Sequence, residues 1–547
     1  MVVADRRALG QWFTAAPVAD LALAALAPVS PSARVIDPTC GDGAFLAAAR
    51  AAGAISLTGV EIDATAAATA RGRLPEATIL VDDTLAPSLP ARLGAFDLVV
   101  GNPPWVRAGR IAPAIKRARA AVIAADWPEL DASLVDKLAR HADVAATCLL
   151  RALRLLAPGG QLALVVSTAL LDADGAAALW TAVERVATVD ALVIAPTERW
   201  FADAAVNSML VVARRHAPGP RRVTAPRLMR LTAPTSIAAT ARGLDGLTTH
   251  ARVRMPTAGA WGPALRAPDA WFAWRDAAGD ALVPLRELAE VRRGLTTGAN
   301  DVFYLKRDEA RARRLEPAYL APVVRSPFNG APQAIAIAPD ESPLVAIALP
   351  PDLALTRVPR IAAWLREHEA AALTTSARRR DPWWSLPANP ARLFLAKAYG
   401  PRFVQRLADV PMLADQRVYA LHPRGGVDLD ALAAVLNALP TALALESLGR
   451  GSMGYGAVEW TVHDAMELPV LDVRRAPPAS LARLRTALTA CARRPIGHVR
   501  LEHAAPDRRE LDAAALALAP GAHLEPAMWE ALLASVALRD RYLLPTV

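Results

Sequence analysis

Val35-Ile36-Asp37-Pro38-Thr39-Cys40-Gly41-Asp42-Gly43-Ala44-Phe45-Leu46 reads as a strand, a tight turn carrying two glycines, and the start of a helix. Glycines there let backbone approach a ligand at the carboxyl end of a first strand, where open α/β sheets bind their ligands. Alone, the motif fits a purely structural strand-to-helix turn as well as a site for a nucleotide-like ligand. The spacing of the next strand favours the ligand. That strand ends in Gly59-Val60-Glu61-Ile62-Asp63, placing Glu61 about twenty residues after the glycines, where an acidic side chain can accept both hydroxyls of a ribose. A third strand ends at Asp82-Asp83, an acceptor for an exocyclic amino group.

Working outward, the first 215 residues alternate short apolar runs with helical stretches, as a doubly wound α/β sheet does. Strands are expected at Arg34–Asp37, Ser56–Ile62, Thr78–Asp82, Phe96–Gly101, Gln161–Ser167, Val189–Ile194 and Asn207–Ala213. Helices are expected at Gly43–Ala52 and His141–Leu156, the latter stopped by Pro158-Gly159-Gly160. The Pro-, Gly- and Arg-rich stretch His216–Arg227 breaks the pattern and predicts a boundary between residues 1–222 and residues 223–547. The second part mixes short strands and turns, then returns to Ala/Leu-rich helical patterning from Arg475.

The sharpest local feature is Phe96-Asp97-Leu98-Val99-Val100-Gly101-Asn102-Pro103-Pro104-Trp105, an apolar strand emptying into a stiff, donor-poor loop. An amine conjugated with a purine ring is a poor nucleophile, and two acceptors on its hydrogens localise the lone pair toward an electrophile. The Asn102 side-chain oxygen and the Pro103 carbonyl suit that task, and consecutive prolines hold both in place. Trp105 can stack on a base extruded from a duplex. No Pro-Cys dipeptide is present to supply a covalent nucleophile.

These segments resemble the motifs of DNA amino-methyltransferases, and their order, with a long C-terminal extension, resembles the gamma class of N6-adenine DNA methyltransferases typified by the TaqI enzyme. The resemblance implies a class I S-adenosylmethionine-dependent methyltransferase sheet followed by a mixed α+β target recognition domain with a helical C-terminal part. It implies that Thr14 faces the methionine part of the cofactor, that Asp37 and Gly41 line its pocket with Cys40, Gly43, Ile62 and Asn102, that Glu61 holds the ribose, and that Asp82 holds the adenine. Where the family usually has Thr-Pro-Pro, this chain has Thr14-Ala15-Ala16. Asn102, Pro103, Pro104 and Trp105 then form the catalytic loop, and Phe201 packs against the flipped adenine, although a plain core role also fits that residue. Asn at position 102, where N4-cytosine enzymes mostly carry Ser, favours adenine.

The net charge of +9 is unevenly spread: residues 1–225 hold 22 basic and 21 acidic side chains, and the remainder holds 40 and 32. A positive excess beyond the boundary suits duplex DNA, because neutralising phosphates releases counterions. Three elements there are candidate DNA contacts: Arg292-Arg293 before a Gly/Thr/Asn loop, Arg379 and Trp384 within Arg378-Arg379-Arg380-Asp381-Pro382-Trp383-Trp384, and Arg450 within the Gly-rich run 448–456. Solvated charge or core tryptophan is the competing reading of each. None of the four lysines (Lys116, Lys137, Lys306, Lys397) lies two residues after an acid, so a restriction endonuclease would be a separate chain. Three cysteines far apart suit a reducing cytoplasm and offer no metal cluster. No run approaches the eighteen or so apolar residues of a membrane span. Two alternatives remain open: methylation of a protein glutamine or of rRNA guanine N2, which poses the same planar-nitrogen chemistry, and a non-catalytic nucleic-acid-binding subunit.

Overall fold

The computed structural model describes residues 13–540 except 107, 108, 110, 173, 174, 197, 202–206, 220–223, 256–260, 326–332 and 452–456. Residues 452–456 of the Gly-rich run therefore lie outside the described residues. The chain divides into two compact units, Met1–Arg266 with Arg450–Gly454, and Ala267–Gly449 with Tyr455–Val547.

The first unit is built on a nine-stranded sheet in the order β3-β2-β1-β4-β5-β7-β6-β8-β9. Its strands are β1 (Arg34–Asp37), β2 (Ser56–Glu61), β3 (Thr78–Val81), β4 (Phe96–Gly101), β5 (Leu156–Ser167), β6 (Ala187–Ile194), β7 (Ser208–Arg215), β8 (Arg227–Leu231) and β9 (Ala251–Arg254). β7 runs antiparallel between β5 and β6, whereas β1, β2, β3, β4 and β5 are mutually parallel. Helices cover both faces. On one side lie α1 (Ala16–Leu26), α2 (Ala44–Ala51) and α3 (Ala64–Arg73); the other carries, among others, α4 (Pro113–Asp126), α5 (Ala132–His141), α6 (Val144–Leu155) and α7 (Ala176–Val186). Strand side chains alternate between the two layers: Val35 and Val165 pack with the first set, Ile36 and Leu164 with the second. Such strands are buried on both faces and read as continuous apolar runs, which is why the sequence shows them so plainly.

Three departures from the expected layout have identifiable causes. The sheet does not stop at residue 222, because β8 pairs in parallel with β6 and β9 pairs antiparallel with β8. The Pro/Gly/Arg stretch is a connection within the first unit, and the division falls after Arg266. Second, the helix expected over His141–Leu156 starts late. α5 ends at His141 and α6 begins at Val144, because the buried Arg119 guanidinium reaches in from α4 and takes the carbonyls of Ala142 and Asp143 through Nη2 at 2.9 and 2.8 Å. Those carbonyls lie where the first helix ends, and a cation there suits the helix dipole. Third, Ala157-Pro158-Gly159-Gly160 is not a free turn but an irregularity within β5, whose register to β4 jumps from Phe96↔Leu156 to Leu98↔Gln161.

The second unit has an eight-stranded mixed sheet whose order runs Ala289–Arg293, Val418–Pro423, Ala391–Ala396, Arg406–Ala414, Leu320–Val324, Leu344–Ile347, Tyr304–Lys306, with Ala336–Ile337 added beside Arg406–Ala414. Helices Pro478–Ala492, Pro506–Leu516 and Glu525–Asp540 form its C-terminal part, as the Ala/Leu patterning predicted. The most apolar helix pair, Leu429–Asn437 and Leu439–Leu448, is the centre of this unit's core. Among the described residues no single helix is long and apolar enough to cross a membrane.

One buried ion pair braces the first unit near its ligand-binding edge. Arg151 of α6 donates through Nε to Asp126 Oδ2 at 2.7 Å and through Nη1 to the carbonyls of Thr84 and Ala86 at 3.2 and 2.8 Å, with its side chain 1% exposed. Arg151→Ala leaves a buried carboxylate without its partner and should cost about 3–5 kcal/mol, whereas Arg151→Met with Asp126→Leu should recover most of it. Urea unfolding of the full chain, followed by tryptophan fluorescence of its first transition, measures both. Equal losses in the single and double variants would refute the pairing argument.

Candidate cofactor and catalytic site

The strand order reverses direction between β1 and β4, and a doubly wound sheet opens a crevice outside the carboxyl ends of the strands at that point. The expected residues converge there because they are the last residues of adjacent strands or the first beyond them. Asp37 closes β1 and lies opposite Gly59 of β2; Glu61 closes β2 and lies opposite Val81 of β3; Asp82 comes directly after β3; Asn102 comes directly after β4.

Asp37 is 1% exposed. Its Oδ1 accepts from the Thr39 backbone N–H at 3.0 Å, while Oδ2 is buried and accepts no hydrogen bond among the described residues. Burial pushes its carboxyl up to about 8, and the negative charges of Glu61 and Asp42 add to the effect. Gly101 makes this packing possible, since a Cβ at that position would sit 2.5 Å from Asp37 Oδ1. The Thr39 hydroxyl then donates to the Asn102 carbonyl at 3.4 Å, and Asn102 Nδ2 donates to Thr14 Oγ1 at 3.4 Å. One short chain of contacts therefore links the pre-strand segment, the Gly-rich turn and the Asn-Pro-Pro loop.

Glu61 is buried with Oε2 accepting from Gly41 N–H and Oε1 from Asp63 N–H, both at 2.9 Å. Both bonds orient the carboxylate, and each oxygen of a carboxylate can accept more than one hydrogen bond. Gly43 is the N-cap of α2, so the turn ends in a helix N-terminus. Ile62 is 62% exposed, an apolar surface at the mouth of the crevice. Asp82 is paired with Arg92 at 2.5 Å, and that hydrogen bond holds its carboxyl below the usual range. The Cys40 thiol is buried under Gly59, its N–H donates to Val60 and its carbonyl accepts from Gly43, so it shapes the turn.

Beyond Asn102, the prolines lead to Trp105, which is half-buried and meets Phe201 edge-to-face at 4.9 Å between ring centroids. Such a pair contributes about 0.5–1.5 kcal/mol beyond its area. Phe201 is buried, so of the two aromatics Trp105 is the one with exposed surface in this conformation. The sequence reading missed Phe13, whose exposed ring lies over Gly41, together with Thr39, Arg92 and Arg151. Phe13 was visible as an aromatic next to Thr14; the others act through contacts 10 to 67 residues away.

Of the DNA-contact candidates, Arg292, Arg293, Arg379 and Trp384 lie in the second unit. Arg292 and Arg293 end the strand Ala289–Arg293, Arg379 is exposed, and Trp384 is half-buried against an apolar cluster. Arg450 does not join them: residues Arg450–Gly454 group with the first unit, where the Gly451 carbonyl accepts from Asn207 Nδ2 at 3.2 Å. No group of three or more His, Cys, Asp or Glu among the described residues is arranged to hold a metal ion.

The 3-2-1-4-5-7-6 core of this sheet, with acidic residues closing β1 and β2 at the switch point, defines a class I S-adenosylmethionine-dependent methyltransferase fold. Residues 3–224 match the N-6 DNA methylase family, and residues 273–496 match the C-terminal domain of type II methyltransferase M.Eco57I. These two matches, one over each part of the chain, support an N6-adenine DNA methyltransferase family for it. Comparison with curated proteins returns no match. Among solved structures, the type IIL restriction-modification enzyme MmeI in complex with DNA is similar at 13% identity and a TM-score of 0.53, over 94% of this chain and 71% of that one. The type IIG restriction endonuclease BpuSI is similar at 14% identity and a TM-score of 0.45, over 99% of this chain and 66% of its own. A type I restriction-modification methyltransferase subunit from Streptococcus thermophilus is similar at 17% identity and a TM-score of 0.33, over 44% of this chain and 52% of that one. This chain therefore spans less than two thirds of the length of BpuSI and about half that of the type I subunit.

Two measurements probe the geometry. Glu61→Ala should raise the dissociation constant for S-adenosylmethionine about tenfold or more, because charge-assisted hydrogen bonds are removed; an unchanged calorimetric affinity would exclude a ribose role. Because the folded-state value of Asp37 lies above its ordinary one, folding favours the protonated form. Its contribution to stability is full below the ordinary carboxylate value and is lost as pH rises through about 8. The melting midpoint of the ligand-free protein should accordingly fall across that window, and Asp37→Asn should flatten the fall.

Proposed function

We propose that the protein transfers a methyl group from S-adenosylmethionine to N6 of a flipped adenine in duplex DNA, as the modification component of a restriction-modification or related defence system. The observation that carries this reading is the Asn102 side chain, anchored through Nδ2 on Thr14 at the mouth of the crevice and followed by two prolines.

The residues present suit the cofactor. The buried Asp37 carboxyl, whose Oδ2 accepts from no donor among the described residues, matches a cationic amino group, and the oriented Glu61 carboxylate matches a pair of vicinal hydroxyls. Exposed Phe13 and Ile62 offer apolar faces to a purine, and Asp82, kept ionised by Arg92, offers an acceptor for its amino group. When bound, the cofactor supplies an electrophilic methyl on a sulfonium.

The chain's own residues do the rest. The Asn102 amide and the Pro103 carbonyl accept the two hydrogens of the target amine, turning its lone pair out of conjugation and toward the crevice. Two fixed φ angles keep these acceptors from reorganising as charge develops. Trp105, braced by Phe201, stacks on the extruded base and offsets part of the few kcal/mol of unstacking. No covalent enzyme intermediate is needed, and the amine proton leaves after attack. MmeI, by its description a DNA-binding restriction-modification enzyme, shares the fold over most of this chain and supports a DNA substrate, as does the basic excess of residues 226–547.

Labelled-methyl transfer to duplex DNA, followed by nucleoside mass spectrometry, tests the proposal. The expected product is N6-methyladenine. Asn102→Ala should lower turnover by roughly 10²–10³-fold or more while cofactor affinity stays within about twofold, since the cofactor rests mainly on the first three strands. Near-normal turnover would remove Asn102 from the mechanism. Transfer to protein or rRNA with none to DNA would replace the substrate class.

A further inference from the structure

The second unit's two basic elements, far apart in sequence, are one structural piece. The strand Ala289–Arg293 runs into a loop that the backbone clamps tightly. Gly294 N–H donates to the Val418 carbonyl at 3.2 Å and Leu295 N–H to the Ala414 carbonyl at 2.8 Å. The Thr297 hydroxyl closes the loop onto Asn300 Oδ1. Gly298 has φ +72°, and a Cβ there would lie 2.6 Å from the Ala377 nitrogen, so the loop abuts the segment 376–384 with no room for a side chain.

Arg380 occupies the junction. Its Nη1 donates to the Thr297 carbonyl at 2.7 Å and to that of Thr296 at 3.3 Å, and its Nε to the Trp383 carbonyl at 3.1 Å. The same guanidinium lies 4.9 Å from the centroid of the Phe303 ring, on the short helix Asn300–Phe303 at the far end of the loop. Its fork therefore donates to three carbonyls on two segments while facing the Phe303 ring, a planar geometry that a lysine's point charge does not reproduce.

The charges around this junction are unequal. Arg292 is held by Glu290 through Nε and Nη2 at 2.7 and 2.9 Å and reaches Asn389 through Nη1 at 3.3 Å. Arg293, Arg378 and Arg379, by contrast, are exposed and form no ion pair among the described residues. Thr296 and Asn300 are exposed on the same loop. Arginines without carboxylate partners beside hydroxyl and amide side chains on rigid backbone are the combination that phosphate contact and base-edge reading require.

We infer that Arg380 is a positioning residue for DNA recognition: it locks the Gly294–Asn300 loop to the segment 376–384 and presents Arg293, Arg378 and Arg379 as a single phosphate-binding edge. The inference rests on the DNA reading proposed above and narrows it, since it removes Arg292 from the contact set and gives Arg380 an inward task.

The test uses the full chain, titrated by fluorescence anisotropy against a mixed-sequence duplex at several salt concentrations, with single-molecule sequencing of the DNA that each variant modifies. Arg378→Ala with Arg379→Ala should reduce the log–log salt slope by about 1.8, at about 0.9 for each phosphate no longer neutralised. Arg380→Ala should raise KM for DNA tenfold or more and broaden the modified motif, with kcat and cofactor affinity within twofold of the parent. Arg380→Lys retains the charge without the fork and should broaden the motif equally, which separates positioning from charge. An Arg380→Ala or Arg380→Lys protein that keeps the parental motif and KM overturns the positioning role. An unaltered salt slope in the Arg378/Arg379 variant overturns the edge. If the unmodified protein binds no duplex DNA, the substrate reading falls instead, and that outcome is visible before any variant is made.

Discussion

The structure turns on the approach of Gly101 to the Asp37 carboxyl. β1 and β4 are parallel neighbours at the switch point, and only a residue without a side chain lets the end of β4 lie this close to the Asp37 carboxyl. The chemistry of the site depends on that closeness. A buried carboxyl is fixed under the Gly-rich turn, and the residue after Gly101 begins the Asn-Pro-Pro loop. The spacing between donor and acceptor halves is thus set by strand separation in a packed sheet, among the least deformable distances a protein has.

Much of this arrangement was legible in the sequence because the candidate site residues are strand endings. Doubly buried strands announce themselves as apolar runs, and each run leads directly into a candidate site residue: Asp37, Glu61, Asp82, Asn102. The features that escaped are those set by partners distant in the chain. Arg119 breaking a helix between His141 and Val144, and Arg92 pairing with Asp82, leave no local signature. The Pro/Gly/Arg stretch carried the composition of an interdomain linker yet connects two strands of one sheet, since turn residues mark the end of an element and not the end of a domain.

The same limit governed the basic residues. Arg292 and Arg293 look equivalent in sequence, but Glu290 and Arg292 are two apart on a strand and so share a face, where they neutralise each other. That pairing could have been read from the strand period alone. Arg380 could not, because its guanidinium is spent on carbonyls more than eighty residues earlier. Composition misplaced the positive excess, because residues 226–266 hold six arginines against Asp245 and belong to the first unit, while residues 267–547 hold 34 basic and 31 acidic side chains; only geometry separated arginines that face outward from those that build the scaffold.

Extending the sheet to nine strands also changes where its unsatisfied backbone lies. The outermost members in the strand order, β3 and β9, are four residues each, and β9 carries Arg252 and Arg254. An exposed strand margin is a template for another chain, and short, charged margins resist that use. The two added strands therefore move a long apolar border, the eight-residue β6, into the interior and leave the short, arginine-bearing β9 at the rim. A border of four residues offers few backbone groups to another chain, which disfavours edge-to-edge pairing on that side.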